Sequence, residues 1–496
     1  MNISRQITAP FTTSYIDVSK NIRSTGPYYD IDLSGNTTYS YKITPYTAGD
    51  ISYSDISNTV IYTSNVQVAG NVYMSSFDTS SITINFIPPK NSYINNTYNI
   101  LRASTPNLTY TDVIAYNNNS NINGLTFGTR YTCSIITNID NVLYNSLSVS
   151  PCIPCKLISI TYTGTPSILE YNSYKNYIFT SGSYSITFSD STIFSLLAVG
   201  GGGGTGSAGG GGGGGGVYFN SITTSGTDTL NISIGSGGNG SNGTIPSDGG
   251  DTTINFTNTT YNGSKSIKAG GGGKGANFTN TTPSAGRTVT SCNGSGGSGG
   301  GTMRDIQASA AVSAAGGAGS GNGLNGYIGG KTDSTTPAGV GYIGGSGGGG
   351  ANMKGYNSYG NNTQAGQIAG NGGNGINCTL DGIDNLYYWG GGGGGGIDIG
   401  SVCAAKTGNG GIGGGGGGGT NYNCSGGFGG STFVSGSSST TYSAIVTNGY
   451  DQSLNRFAGN GGKNTGGGGG GGSNSKFGGS GGSGIVIIAI PTFCII

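Results

Sequence analysis

The sequence contains no histidine, and Glu170 is its only glutamate. General acid–base catalysis most often uses histidine, then glutamate or aspartate, and transition-metal sites depend on histidine and cysteine. No aspartate lies in a recognisable catalytic context. We therefore expect a protein that is not an enzyme and that holds no cofactor.

The sequence also lacks cysteine and carboxylate residues at the spacing that a metal site requires. Cys152-Ile-Pro-Cys155 has no second cysteine pair at zinc spacing, so its cysteines are better explained as buried small side chains or as a local disulfide. Asp381, Asp384 and Asp398 could collect a calcium ion, but solvated loop acids are the favoured interpretation. The sequence predicts no metal site.

Charge and long apolar runs are both lacking. Only 8% of residues are charged and the net charge is +1, which gives no basic stripe for nucleic acid. No stretch of about 18 apolar residues is present to span a membrane. The start, Met1-Asn-Ile-Ser-Arg5, has no apolar core of a secretory signal, so we expect release by assembly and lysis, or a processed N-terminus.

Glycine, by contrast, is abundant, with 106 residues in a chain of 496. Glycine and proline together make up about a quarter of the chain, close to the composition of disordered proteins. Disordered chains, however, usually carry high net charge and few aromatics, whereas this chain is nearly neutral and has 31 tyrosines. The composition favours an ordered, uncharged protein with a hydrogen-bonding surface.

Residues 66–155 contain short alternating strands separated by turn signals, among them Ser81-Ile-Thr-Ile-Asn-Phe86. The module resembles a fibronectin type III domain, with Phe86 in the place where that family usually has tryptophan. The spacing from Leu125 to Tyr131 resembles the tyrosine corner of such sandwiches. The resemblance implies that the Tyr131 hydroxyl bonds to upstream backbone and fixes a turn between two sheets.

Residues 1–65 repeat the end of the same pattern, with Leu33 and Tyr39 at the same spacing. Tyr15–Val18 is expected to match Tyr98–Leu101. This copy is too short by roughly two strands with their turns, so we expect an incomplete fibronectin III-like module. Its missing strands could be supplied by a partner chain through β-strand addition. The alternative is a shorter, divergent sandwich formed by this segment alone.

Residues 156–496 contain the glycine block, which two strand-like apolar runs enclose, Ile193–Val199 and Ile485–Ile490. A flexible linker would not be closed at both ends by strands that must be buried. Other strand signals lie between these runs, so we expect a folded domain. Its longest glycine runs are Gly209–Gly216, Gly390–Gly396, Gly413–Gly419 and Gly466–Gly472.

An ordered glycine run has few conformations available to it. Glycine strands lack side chains to pack, and a glycine helix costs about 1 kcal/mol per residue relative to alanine. An extended three-fold helix remains, and without Cβ atoms such chains can bond to neighbours in several directions. The sequence therefore predicts an all-β protein with almost no α-helix, ending in a glycine-rich β-sandwich with a polyglycine II bundle.

Ser183–Phe188, Leu230–Gly238 and Gly481–Ile488, taken together, resemble the glycine-rich domain of phage tail-fibre adhesins and of surface proteins of large DNA viruses. The resemblance covers residues 183–490, although Ala489-Ile490 departs from its usual ending. It implies a rigid polyglycine core on a virion, extracellular in location, with the inserts between runs acting as receptor-binding loops. The implied partners are a cell-surface glycan or protein receptor and further copies of the chain.

Aromatic residues near the glycine runs are candidates for ligand binding. Tyr387, Tyr388 and Trp389 directly precede one run, and Tyr356 and Tyr359 lie in a separate insert. Aromatic rings stack on sugars and anchor protein interfaces. The alternative is that Trp389 closes the end of the glycine bundle as a small apolar cap.

These observations lead to one expected function and one alternative. The expected function is fibre or capsid decoration that acts in host attachment through polar and aromatic loops. The alternative is a self-assembling fibre or minor capsid component that binds no receptor. No catalytic residue is assigned in either case.

Overall fold

The computed structural model is all-β in the residues that it describes, where one 3₁₀ helix at Thr492–Cys494 is the only helical element. The chain divides into two compact units, Met1–Lys156 and Leu157–Ile496, one residue from the boundary expected between sandwiches and glycine-rich domain. The described residues are 2–9, 16–19, 38–44, 60–63, 70–77, 80–87, 97–104, 110–116, 120–127, 129, 131–139, 142–152, 154–207, 209–241, 244–277, 283–290, 292–302, 323–332, 344–359, 367–383, 386–397, 406–420, 426–432, 445–451, 457–473 and 477–496.

The first unit contains eleven strands in three sheets within its described residues. They are β1 (Asn2–Ala9), β2 (Ile16–Ser19), β3 (Thr38–Thr44), β4 (Val60–Thr63), β5 (Gly70–Phe77), β6 (Ile82–Ile87), β7 (Thr97–Ser104), β8 (Tyr110–Tyr116), β9 (Ser120–Ile122), β10 (Tyr131–Ile139) and β11 (Val142–Cys152).

The second predicted module has fibronectin type III-like topology. Its three-stranded sheet has the order β5-β6-β9 and its four-stranded sheet the order β11-β10-β7-β8. The Tyr131 hydroxyl accepts a hydrogen bond from the backbone N–H of Thr126 at 3.0 Å, the bond to upstream backbone predicted for that position. Nearby, Ile82, Ile122 and Leu125 are buried.

The first module has one four-stranded sheet in its described residues, with the order β2-β1-β3-β4. This order repeats β8-β7-β10-β11, so β1 takes the place of β7 and β2 that of β8. The expected match of Tyr15–Val18 with Tyr98–Leu101 is therefore wrong, because β1 rather than β2 pairs with the tyrosine strand, with Ile7 opposite Tyr39. Tyr39 is buried, and residues 20–37 upstream of it lie outside the described residues.

The second unit begins with a sandwich of two sheets. Its strands are β12 (Ile160–Thr163), β13 (Ser167–Tyr171), β14 (Tyr174–Phe179), β15 (Ser183–Phe188), β16 (Ile193–Val199), β17 (Val217–Thr223), β18 (Asp228–Ser233), β19 (Thr252–Phe256), β20 (Ser266–Ala269), β21 (Asn293–Ser295), β22 (Ile376–Asn377), β23 (Tyr388–Trp389) and β24 (Ile485–Pro491).

The larger sheet has the order β12-β15-β18-β19-β20-β21, and the smaller has the order β13-β14-β24-β16-β17. Alternate residues of both sheets form one apolar core, which includes Phe188, Phe194, Leu230 and Ile488. This period of two is the pattern expected when one face of each strand is buried.

The two apolar runs that enclose the glycine block are neighbours in the smaller sheet. β24 lies between β14 and β16, and Ile487 is opposite both Ile178 and Leu197. All seven residues of β24 are buried. The last strand of the chain is therefore central to the sandwich, and the glycine block is a long insertion between two paired strands.

Four of the described cysteines fall into two states. Cys155 and Cys494 are buried and each is disulfide-bonded. Cys292 and Cys378 are not disulfide-bonded, and burial raises the pKa of the Cys292 thiol. Disulfides persist mainly outside the reducing cytosol.

Asp228 makes the stability of this sandwich pH-dependent. Its carboxylate is buried and accepts the backbone N–H groups of Thr257, Asn258 and Thr259 at 2.8–3.0 Å. Burial opposes ionisation, but the hydrogen bonds, led by that of Thr259, outweigh it and hold the pKa of Asp228 below its usual value. The folded pKa lies below the unfolded one, so this stabilisation is complete above about pH 4–5 and is lost as the pH falls.

We expect Asp228→Asn to lower the free energy of unfolding at pH 7 by about 2 kcal/mol, because an amide cannot accept all three bonds. Urea unfolding at pH 7 and pH 3 measures the effect, and the variant should lose less stability on acidification than the wild type. Glu170→Gln, at an exposed carboxylate, is the matched control. Equal acid sensitivity of Asp228→Asn and wild type would contradict this role.

Candidate functional site

The run Gly209–Gly216 bonds to three different neighbouring chains in rotation. Each successive N–H group donates to another chain, and the same chain returns at every third residue. Two of these neighbouring chains are antiparallel to Gly209–Gly216, and the third is parallel to it. The acceptors, in order from Gly209 to Gly216, are Gly472, Ala276, Ser346, Gly469, Gly273, Gly349, Gly466 and Gly270.

The carbonyl groups of the same run reach three further chains. The oxygens of Gly211, Gly212 and Gly213 accept from the N–H groups of Gly301, Gly393 and Gly203, respectively. The run therefore has six hydrogen-bonded neighbours and a period of three residues. This is the polyglycine II arrangement predicted from the sequence, and its backbone groups are satisfied without an apolar core.

Close packing at the interior glycines of the bundle leaves no room for a side chain. A Cβ atom on Gly211, Gly212 or Gly393 would approach a neighbouring carbonyl oxygen more closely than 3.0 Å. Left-handed backbone occurs at the starts of runs, where the chain turns into the bundle. The positive φ angles are 72° at Gly390, 101° at Gly413, 88° at Gly414 and 68° at Gly466.

The bundle has two distinct ends. At the near end, Gly200, Gly216 and Gly484 continue directly from strands β16, β17 and β24. At the far end, the N–H of Gly472 donates to the Gly206 carbonyl, and the N–H of Gly209 donates to the Gly472 carbonyl. The glycine chains thus lead away from the sandwich and turn back at the far end.

Several inserts between the glycine runs leave from the far end. Ile397 and Thr420 pair there, as do Tyr359 and Ile368. These residues flank segments 360–366, 398–405 and 421–425, which lie outside the described residues. The described residues that flank these three segments therefore lie at the far end.

Buried polar atoms without hydrogen-bond partners accumulate beside these segments. They include hydroxyl oxygens of Thr332, Ser358, Thr420 and Ser473 and both amide atoms of Gln367. Each of these residues lies within two positions of a segment outside the described residues. Buried polar groups in proteins normally find a partner in protein, water or a bound molecule. The far end is a region where the described chain leaves hydrogen bonding incomplete.

Asparagine, aspartate and serine side chains complete the surface of the bundle. Their oxygens accept outward-facing backbone N–H groups of the next chain at 2.6–3.3 Å, in pairs spaced three residues apart. This ladder explains why the inserts are rich in these residues. The donor and acceptor residues are Leu324 and Ser295, Tyr327 and Ser298, Asn409 and Asn371, Ile412 and Asn374, Gly429 and Asp451, Thr432 and Asn448, Gly271 and Asp251, and Lys274 and Asp248.

Two of the predicted ligand-binding residues are buried. Trp389 and Tyr387 are 0% exposed, with ring centroids 6.2 Å apart, so neither presents a surface to a ligand and their assignment was wrong. They precede Gly390 at the near end, where Gly382 lies against Tyr174 and Ala489 of the smaller sheet. The alternative interpretation, an apolar cap at the end of the bundle, fits this position.

We expect Trp389→Ala to lower the free energy of unfolding by about 3–5 kcal/mol, because it removes a fully buried ring. Circular dichroism during thermal unfolding measures the change. Tyr356→Ala, at a half-exposed aromatic, is the control and should leave the midpoint within a few degrees of wild type. Wild-type stability in Trp389→Ala would show that the ring is not part of a packed cap.

The other predicted residues remain accessible to different extents. Tyr356 is 49% exposed and Tyr359 is 54% exposed, and Tyr388 is partly buried in β23. The structure does not gather all five predicted residues into one site. Tyr356 and Tyr359 lie on one surface chain, whereas Tyr388 belongs to the near end.

The sequence interpretation missed a row of exposed aromatic residues on adjacent surface chains of the bundle. Phe428, Tyr450 and Phe477 are each about half exposed or more. The chains of Phe428 and Tyr450 are neighbours, because Gly449 donates its N–H to the Gly430 carbonyl. The chain of residues 457–460 bonds to those of both Tyr450 and Phe477 and lies between them. We call Phe428, Tyr450 and Phe477 the lateral row. A signal was present, since each of them has a glycine directly beside it.

Comparisons with known proteins give little information on the function of this chain. No protein-family model matches the chain, and no curated protein matches it. Among solved structures it is similar to the FN1–FN3 domains of chicken CNTN1, at 10% identity and a TM-score of 0.20, over 47% of this chain and 83% of that one. At this level the likeness carries no information on function.

No helix among the described residues is long and apolar enough to cross a membrane. Within those same residues, no group of three or more cysteine, aspartate or glutamate side chains is placed to hold a metal ion.

Proposed function

We propose that this protein is a structural protein of a virion surface that acts in host attachment, with the glycine bundle holding the far-end inserts rigidly away from the particle. The observation that supports it best is the geometry of the bundle. Its chains are anchored on the sandwich at Gly200, Gly216 and Gly484 and bond to neighbours in up to six directions. A rigid support lowers the entropy lost when its inserts bind a receptor.

The N-terminal modules would attach the protein to other virion proteins. The described sheet of the first module, β2-β1-β3-β4, repeats only the four-stranded half of the second module. A partner strand, added by β-augmentation, could supply the opposite sheet. The disulfide-bonded Cys155 and Cys494 suit an extracellular location.

Binding of the full-length protein to a panel of cultured cells tests the proposal. Replacing residues 361–365 at the far end with a glycine–serine linker of equal length should abolish binding and keep the melting temperature. The matched control makes the same replacement at residues 440–444, which precede Ile445 at the near end, and should bind as wild type. Equal binding by both variants would place attachment elsewhere, and labelling of intact particles that fails to find the protein on their surface would reject the proposed location.

The lateral row favours a second candidate function, self-association without receptor binding. Exposed aromatic residues on adjacent rigid chains are a pattern common in protein interfaces. Analytical ultracentrifugation of the full-length protein should show concentration-dependent oligomers, and a variant with Phe428, Tyr450 and Phe477 changed to serine should be monomeric. A wild-type protein that is monomeric at all concentrations would eliminate this candidate.

A further inference from the structure

We infer that a cleft on the side of the bundle binds an uncharged sugar through Tyr327, which adds a second binding site beyond the proposed far-end attachment. The cleft has a volume of about 340 Å³. It lies beside the near half of the bundle, apart from the far-end inserts. Its lining residues are Leu324, Asn325, Gly326, Tyr327, Ala351, Asn352 and Ile376.

The first wall of the cleft is a surface chain whose backbone is held on its inner side. The N–H groups of Leu324 and Tyr327 donate to the hydroxyl oxygens of Ser295 and Ser298, at 2.9 and 3.3 Å. The Leu324 and Tyr327 carbonyls both accept backbone N–H groups at 2.9 Å. A Cβ on Gly326 would overlap neighbouring backbone, so this chain is packed tightly against the bundle. The wall is therefore rigid, while Leu324 and Tyr327 remain partly exposed.

The opposite wall is fixed by a turn and a short strand. The Ala351 N–H donates to the Gly390 carbonyl at 2.8 Å, and the Asn352 N–H donates to the Asn374 carbonyl at 3.0 Å. Ile376 pairs with Trp389 in the two-stranded sheet. Both walls thus exist before any ligand arrives, which reduces the ordering cost of binding.

The chemistry of the lining suits a neutral carbohydrate. Tyr327 offers a half-exposed ring for the apolar face of a sugar, and the exposed Asn325 and Asn352 carry amides that can donate to and accept from hydroxyl groups. None of the seven lining residues is charged, so nothing in the cleft favours an ionic ligand. The volume lies at the low end of the range for ligand pockets, about 300–1,000 Å³, and fits one or two sugar rings.

Saturation-transfer NMR and calorimetry on the full-length protein test the inference, with methyl glycosides of glucose, galactose, mannose and N-acetylglucosamine as probes. At least one glycoside should bind. Tyr327→Ala should weaken that binding at least tenfold through loss of ring stacking, and Tyr327→Phe should retain it. Tyr162→Ala, at an equally exposed tyrosine of β12 outside the cleft, is the matched control and should bind as wild type.

Absence of binding by every glycoside, or equal binding by wild type and Tyr327→Ala, would overturn the inference. The cell-binding assay is read separately. Cell attachment by a protein that binds no glycoside leaves the proposed function intact and rejects the cleft as a sugar site. Tyr327-dependent glycoside binding without cell attachment supports the cleft and rejects the proposed function.

Discussion

Gly393→Ala is expected to prevent stable folding of the second unit, although it adds a single methyl group. The N–H of Gly393 donates to the Gly212 carbonyl, and its carbonyl accepts from Gly348. A Cβ on Gly393 would overlap the carbonyl oxygen of Gly469. Overpacking costs about 1–3 kcal/mol, and displaced chains lose buried hydrogen bonds at about 1–3 kcal/mol for each group left unpaired. We expect a loss of about 4 kcal/mol or more.

The fluorescence of Trp389, the only tryptophan in the sequence, reports this unfolding because its ring is completely buried. Gly182→Ala is the control, since Gly182 has a φ of +80° and open space around it. It should cost about 1–2 kcal/mol through backbone strain alone. Similar losses in the two variants would mean that the bundle interior tolerates a side chain, against the packing described for it.

Ile488→Asp is expected to have an equally large effect through the sandwich. Ile488 is 0% exposed in β24, in the core between the two sheets. An unpaired carboxylate there cannot keep its hydration and has no partner among the apolar residues around it. We expect a loss of about 5 kcal/mol or more, comparable to the whole stability of a typical domain.

Ile496→Asp makes the same chemical change at an exposed position in the same C-terminal segment and should leave stability unchanged. Urea unfolding followed by Trp389 fluorescence compares the two variants. A cooperative wild-type transition in Ile488→Asp would contradict the central position of β24. It would also remove the reason for treating the glycine block as an insertion between paired strands.

Much of the fold could be predicted from the sequence because local pattern and tertiary role agree in the strands. Alternation in Ser183–Phe188 and the apolar runs Ile193–Val199 and Ile485–Ile490 predicted buried strands, and all three segments are strands of the sandwich. The conformation of the glycine runs could be predicted by elimination, because glycine destabilises the interior of both helices and strands. The resemblance to fibronectin type III domains implied the bond from Thr126 to the Tyr131 hydroxyl.

Other features depend on which chains become neighbours, and a single sequence does not record that. By residue type, Trp389 could be either an exposed residue that contacts a ligand or an apolar cap. Its burial follows from its position at the near end, at the boundary between bundle and sandwich. The strand β1 takes the place of β7 through its pairing with β3, whereas residue similarity pointed to Tyr15–Val18. The cleft beside Tyr327 joins residues 324–327, 351–352 and 376, which no local pattern connects.

The side-chain ladder gives the abundant asparagine residues of this chain a structural role. Asn371 and Asn374 accept N–H groups from the next surface chain, so asparagine at every third position supports the bundle rather than a ligand. Abundance of asparagine is therefore a poor guide to residues that would contact the proposed receptor. Better candidates are exposed residues outside the ladder, such as Tyr356 and the lateral row.

The most direct test of the polyglycine bundle is amide hydrogen exchange of the full-length protein, followed by mass spectrometry with peptide resolution. If each glycine N–H is bonded to a neighbouring chain, Gly209–Gly216 and Gly390–Gly396 should exchange as slowly as β16 and β24. Exchange of both glycine runs at the rate of an unstructured peptide, while β16 and β24 stay protected, would contradict the account.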